Sequence, residues 1–397
     1  MSAVFCNTQS DNRTGSFTKK ESEMKPIERW KVRRELWRLH DKVTRWASAT
    51  FYDPVRQFVY DCFFQHLLKL HTGELELTQR VAILVIFQPK GLSQSTLLTL
   101  DHLHESGWSV LVVSNHTLTV PDRFKVLSRC AQLIERPNVG YDFGAYRDGV
   151  RHLWQGNTKP ENLVLLNDST WFPIRLNDTS LKRMEALDVD LSGHIYKIED
   201  SEKRERDHLE SHLLMFGKRF LEHSAFLQFW NSYVMSDNRE NTIKRGEKQI
   251  TQTALSLGLS VQGLLFPDSM IEILGGLSDI ELSNIVRQMV HHRNDAKVYC
   301  DRLLANSEAG QPWREDYLTW VSDVLFNSRQ HLFSVTFIET AIHLSGMGFI
   351  KKANDNRHQL ARIAVLHAED EKRIEALNEV IRQEIETAVK SGVVAEP

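Results

Sequence analysis

The alternation of unbroken apolar runs with segments of helical spacing, between positions 80 and 170, constrains this chain more than any other feature. R-V-A-I-L-V-I-F (80–87) is apolar at successive positions and stops at Q-P-K-G, the pattern of a strand covered on both faces. S-Q-S-T-L-L-T-L-D-H-L-H-E-S-G (93–107) follows, with a serine start, leucines at helical spacing and Gly107 as its stop. W-S-V-L-V-V-S (108–114) is again strand-like, P-D-R-F-K-V-L-S-R-C-A (121–131) helical, Q-L-I-E-R (132–136) a short strand, and N-L-V-L-L-N-D-S (162–169) another buried one. Strands that alternate with helices require right-handed crossovers and a mostly parallel sheet flanked by helices, so the fold class is α/β.

The same reading extends to strands at D-V-D-L-S-G-H-I-Y-K-I (188–198) and S-H-L-L-M-F-G (211–217), and to helices at H-S-A-F-L-Q-F-W-N-S-Y (223–233) and I-T-Q-T-A-L-S-L-G (250–258). At 397 residues the chain exceeds what one growing core usually takes, and its expected divisions are four. Residues 1–24 read as a disordered tail, 25–78 as basic amphipathic helices, 79–270 as the α/β domain and 271–397 as a helical region. In the last of these, Ile374, Leu377, Ile381, Ile385 and Ala388 form an apolar stripe that needs a partner surface. The segment 51–70 is expected to be one strongly apolar helix. In the arm, Val32, Leu36, Leu39, Val43 and Trp46 share one stripe, while Arg29, Arg33, Arg34, Arg38 and Arg45 lie opposite with Trp30 and Trp37. Indoles on a basic face suit either another protein surface, including a second subunit, or peripheral contact with an anionic membrane.

R-P-N-V-G-Y-D-F-G-A-Y-R-D-G-V (136–150) and the N-D-S that ends the strand at 162–169 hold the candidate site. Glycine permits close backbone approach, a helix start offers N–H groups to phosphate oxygens, and open α/β sheets bind ligands at the carboxyl ends of their strands. Substrate-binding candidates are therefore Gln88, Lys90, Ser114, Asn115, Arg136, Asn138, Gly140, Asp142, Gly144, Arg147, Asp148, Asn167 and Ser169. Asp142 and Asp148 have a competing reading as turn and cap residues, and His212 is open between an acceptor site and a simple hydrogen-bonded role. Neither a G-x-G-x-x-G turn nor a P-loop is present, which removes the usual nicotinamide and nucleotide-triphosphate readings. A net charge of −3 from 49 basic and 52 acidic residues gives no general case for nucleic acid. Four scattered cysteines without a C-x-x-C suggest a reduced compartment, and the absence of an early apolar segment leads us to expect a cytoplasmic protein, with the inner face of a membrane left open.

N-V-G-Y-D-F-G-A-Y-R-D-G, L-L-N-D-S-T-W-F-P, S-H-L-L-M-F with F-L-Q-F-W, and G-E-K-Q-I-T-Q-T-A-L together resemble the rhamnan synthesis F family of bacterial polysaccharide-assembly proteins, within the GT-A type of nucleotide-sugar glycosyltransferases. The resemblance covers about 81–267 and implies a GT-A-like, Rossmann-like sheet. It also implies transfer of a sugar, rhamnose from dTDP-rhamnose being the family expectation, to a cell-surface polysaccharide or lipopolysaccharide acceptor, glycan or lipid-linked. By that analogy Asn167-Asp168-Ser169 stands where the wider group carries its metal motif, with one carboxylate remaining, so a Mg²⁺ or Mn²⁺ ion at Asp168 is left open. Arg136, Arg147 or Lys90 would then neutralise the leaving diphosphate. Glu247 matches the family's glutamate as catalytic base, against a capping role at its helix. A non-catalytic scaffold that binds a nucleotide-sugar or glycan is the alternative.

Overall fold

The computed structural model describes residues 29–64, 67–156, 159–198, 207–291, 293–325 and 331–392. The proposed tail at 1–24 lies outside them, as do the side chains of Arg29, Trp30, Val32 and Arg45. Two compact units divide the chain, 1–47 and 48–397. The first contributes the helix Arg29–Ala47, in which Arg34 and Arg38 both reach the Glu35 carboxylate, at 3.3 and 2.8 Å. No described helix is long and apolar enough to cross a membrane.

The described strands of the second unit are β1 (Lys69–Thr72), β2 (Arg80–Ile86), β3 (Ser109–Ser114), β4 (Gln132–Glu135), β5 (Asn162–Asn167), β6 (Thr170–Trp171), β7 (Leu191–Lys197), β8 (His208–Leu209), β9 (Leu213–Phe216), β10 (Val261–Leu265) and β11 (Ile350–Lys351), of which β6 and β11 form a small sheet of their own. The order across the main sheet is β1-β4-β3-β2-β5-β9-β7-β10, with β8 beside β7. β4, β3, β2 and β5 run parallel, β9 is antiparallel to both β5 and β7, and β10 is parallel to β7. The α/β class and the mostly parallel sheet read from the apolar runs are therefore the observed ones. β1 was not foreseen: the apolar segment at 51–70 leaves the helical state before Lys69, and Lys69–Thr72 closes the sheet edge antiparallel to β4.

Strand alternation divides the core into two layers. Val81, Ile83 and Val85 of β2, with Leu163 and Leu165 of β5, meet the helices Tyr141–Gln155, Ser224–Ser232 and Gln249–Ser256. Ala82, Leu84, Ile86, Val164 and Leu166 face the other way, and there the core continues into Ile342, Val365, Ile381 and Ile385. The C-terminal region is thus one of the two layers that cover the sheet. Its apolar stripe finds its partner here: Ile374, Leu377, Ile381 and Ile385 are buried in this core and Ala388 packs on it. Ahead of that stripe in the chain, β11 pairs antiparallel with β6, which begins two residues after Asp168.

Candidate active site at the carboxyl edge of the sheet

β2 pairs with β3 on one side and with β5 on the other, so the strand order reverses between β2 and β5. A crevice forms outside the carboxyl ends of strands at such a point, which is where ligands of open α/β sheets bind. Asp168 stands in it. One oxygen of its carboxylate accepts the Phe87 backbone N–H at 3.0 Å and the Gln88 side-chain amide at 2.9 Å, tying the end of β5 to the loop after β2. Gln88 in turn accepts the Ser93 N–H at 2.7 Å and so holds the 88–93 loop shut.

Asp142 joins from the start of the helix Tyr141–Gln155. Asn167 donates to its carboxylate at 2.8 Å and spends its own carbonyl oxygen on Ser169. Gly140 makes this approach with φ +78°, its N–H given to Asp237 at 2.9 Å, and Tyr141 takes φ 50°, a conformation that costs a non-glycine residue on the order of 1–2 kcal/mol. Such a cost at the mouth of a crevice points to a positional demand there. Burial, reinforced by the charges of Asp168 and Glu247, pushes the Asp142 carboxyl up to about 7, and Arg239 opposes the shift. The charges of Asp168 and Glu247 thus bear on Asp142 at this edge.

Glu247 lies in a π-helical turn, Lys244–Lys248, set between the helices Arg239–Ile243 and Gln249–Ser256. Turns of this kind inside helices recur at functional sites because they re-aim a side chain. Gly246 lets the turn press on Phe143, whose ring a Cβ would meet at 2.6 Å. The Glu247 carboxylate caps no backbone amide in the contacts seen. It accepts the Ser211 hydroxyl at 2.6 Å and lies 3.6 Å from His208 Nε2.

Other candidates from the sequence are spent elsewhere. Arg136 is buried, donating to Asp148 at 2.7 Å and to the Val139 carbonyl at 2.9 Å, with Asn115 and Tyr60 around it. Arg147 pairs with Asp61 at 2.8 Å. The reason is angular: at 100° per residue Arg147 and Asp148 stand roughly 140° and 240° round the helix from Asp142, so they face the 53–64 segment. Asn115 also donates to the Tyr141 carbonyl, and the Ser114 hydroxyl donates to the His116 carbonyl at 2.7 Å, so both brace the edge from below. Gly144 serves close packing, since a Cβ there would lie 2.2 Å from the Val139 carbonyl oxygen and 2.9 Å from the Met235 sulfur. Asn138 and Lys90 stay exposed without a side-chain partner among the described residues.

His212 is buried, 3.2 Å from His194 and 3.6 Å from Glu210, against Phe349. Burial pushes it down to about 3, so it is a neutral hydrogen-bonded group at neutral pH. With His194 it borders an enclosed space of about 10 Å³ that also touches Asn167, Asp168 and Lys352, enough for one water.

Residues that the sequence reading missed come from distant segments. Arg239 is exposed, with no ion pair among the described residues. Lys352 follows β11, donates to Ser95 at 3.1 Å and is depressed by burial while Asp168 and Glu384 oppose that shift. The signal for it was G-M-G-F-I-K-K (346–352), a short apolar run ending in two cations. Among the described residues no three His, Cys, Asp or Glu side chains are grouped to hold a metal ion. A divalent ion at Asp168 would draw its other ligands from diphosphate oxygens and water.

Comparison with known proteins places this edge in a family. Residues 110–272 match the family described as rhamnan synthesis protein F, and over 282 residues the chain is 31% identical to the uncharacterised protein y4gN of Sinorhizobium fredii, covering 71% of each. The chain belongs to the rhamnan synthesis protein F family. Its matched span in that family takes in the Asp142, Asp168 and Glu247 edge entire. Among solved structures, this rhamnan synthesis F chain aligns with core-mannan synthase A of Aspergillus fumigatus in a Mn/GDP form, at 7% identity and TM-score 0.30, over 46% of this chain and 71% of the other. It also aligns with TarS 1–349 of S. aureus in complex with UDP-GlcNAc, at 11% identity and TM-score 0.30, over 80% and 93%. Nothing is carried over from structures at that level of likeness.

Proposed function

We propose that the chain is a glycosyltransferase of the GT-A type that moves a sugar, rhamnose from dTDP-rhamnose being the first candidate, to a polysaccharide or lipopolysaccharide acceptor with inversion. The observation that carries this reading is Asp168 at the reversal of strand order, with Asp142 under the charges of Asp168 and Glu247 and with Glu247 held by Ser211 in a π turn. Membership in a rhamnan synthesis family supports sugar transfer over other α/β chemistries.

In this proposal the donor lies along the ends of β2, β3 and β5, between the Gln88 loop, Asn138 and Asp168. The acceptor hydroxyl oxygen attacks the anomeric carbon as the bond from that carbon to the diphosphate oxygen breaks. The electron pair of that bond leaves with the diphosphate, and the hydroxyl proton goes to the Glu247 carboxylate. Arg239 and Lys90, both unpaired among the described residues, are the side chains free to meet the departing negative charge. Asp168 orients the 87–88 loop through its two accepted hydrogen bonds. For a lipid-linked acceptor the basic arm would hold the enzyme at an anionic inner leaflet.

The test is a titration of dTDP, UDP and GDP into the parent and Asp168→Asn, read as thermal stabilisation with and without Mg²⁺ or Mn²⁺. A ligand that binds only the native state raises the melting temperature by mass action. One nucleotide should stabilise the parent, and Asp168→Asn should lose most of that gain. If no nucleotide shifts the parent, the transferase reading fails.

A further inference from the structure

A cleft of about 760 Å³ opens between the 87–94 loop and the last two helices, Asn356–Asp370 and Glu379–Ser391. Asp168 is its wall on the side of the active site, and Trp171, Lys352, Arg362 and Glu384 line it deeper in. The two carboxylates there are already engaged. Glu384 accepts from the Ser95 N–H at 2.9 Å, the Ser95 hydroxyl at 2.6 Å and the Trp171 indole at 2.8 Å, and Asp168 accepts from Phe87 and Gln88.

The cations are not matched in the same way. Arg362 is 2% exposed and has no ion pair among the described residues. One of its nitrogens donates to Gln359 at 2.7 Å, while Nε and Nη1, both buried, have no acceptor. Its guanidinium lies 5.8 Å from the centre of the Trp171 ring, and the Lys352 ammonium lies 5.6 Å from it. Lys90 stands at the rim with no partner among the described residues. A buried guanidinium with unsatisfied N–H groups costs free energy unless an anion or ordered water meets it. Among the described residues no carboxylate pairs with Arg362, on which Asp355 acts only through its charge, while the cleft adjoins the residue.

We infer that this cleft is an anion subsite, with Arg362 as receptor and Lys352 and Lys90 beside it, for a phosphate or diphosphate ester. The inference rests on the unmatched N–H groups of Arg362 and not on the role given to Glu247. Two sources share this chemistry: the diphosphate of the donor reaching past Asp168, and a phosphate carried by the acceptor.

Inorganic pyrophosphate, glucose 1-phosphate and dTDP are titrated by calorimetry into the full chain, Arg362→Met, Arg362→Lys and Lys90→Gln. Pyrophosphate binding is expected to weaken about tenfold or more in Arg362→Met, the loss of a charge-assisted hydrogen bond, with partial recovery in Arg362→Lys. Without ligand, Arg362→Met should melt no lower than the parent, because an uncompensated buried charge has been removed. If dTDP follows pyrophosphate across the variants, the anion is the donor's. If pyrophosphate and glucose 1-phosphate depend on Arg362 while dTDP does not, it belongs to the acceptor. Should Arg362→Met fail to fold, Arg362→Lys and Lys90→Gln carry the test. Pyrophosphate binding unaltered in every folded variant, or absent from the parent, overturns the subsite.

Discussion

Asp142 is the residue on which the electrostatics of the site turn. Its carboxyl is raised to about 7, first by burial and then by the Asp168 and Glu247 charges, with Arg239 opposing. A carboxyl raised on folding stabilises the native state most below its unfolded value, about 3.9, and that contribution is lost as pH rises through 7. Asp142→Asn should therefore flatten the fall of stability between pH 5 and 8, and at pH 8 should exceed the parent by on the order of 1–3 kcal/mol. Urea unfolding of both proteins at pH 5, 7 and 8.5 measures this; parallel pH profiles would leave Asp142 solvated and uncoupled. Sequence spacing held the information that separates Asp142 from Arg147 and Asp148, because five and six residues along a helix turn a side chain to other faces. It held no sign of what those faces meet. Arg136, Arg147 and Asp148 looked like ligand residues because charges crowded among glycines rarely lie in a core, yet here each charge is matched by another.

Among the elements, long apolar strands and capped helices were legible and short pairings were not. β2, β3, β5, β7 and β9 stand where apolar runs put them, whereas β1, β6 and β11 are short and depend on partners far along the chain, and β8 is two residues beside β7. The π turn at Lys244–Lys248 was equally silent, since G-E-K before an apolar run reads as an ordinary helix start. The helix expected in the arm spans Arg29–Ala47, and Leu36, Trp37, Leu39, Val43 and Trp46 on it are exposed. An anionic surface attracts each nearby Arg or Lys by about 1 kcal/mol, and interfacial indoles add apolar anchoring. The protein should sediment with anionic vesicles but not neutral ones, less so as salt rises, and should lose this when Trp30 and Trp37 become serine and Arg33 and Arg34 glutamine. Vesicles that never sediment the parent, with variants that melt lower or lose an oligomer, would make the face a protein contact.

At the scale of the molecule, the second unit is one sheet with two helical layers, and the second layer is the C-terminal region that the sequence suggested as an addition. Its helices cover Leu84, Ile86, Val164 and Leu166, and its return strand β11 brings Lys352 to within hydrogen-bond reach of Ser95 beside the site. Site and scaffold are thus joined: the family match ends at 272, yet a wall of the crevice comes from 350–391. The central claim is that Glu247 takes the acceptor proton at this edge and has no part in holding the donor. A paired measurement of donor affinity and single-turnover transfer in Glu247→Gln tests it most directly. The account predicts donor affinity within about twofold of the parent and transfer slowed about 10²–10⁴-fold, the usual worth of a general base. Transfer at the parental rate, or a loss confined to donor affinity, would contradict it.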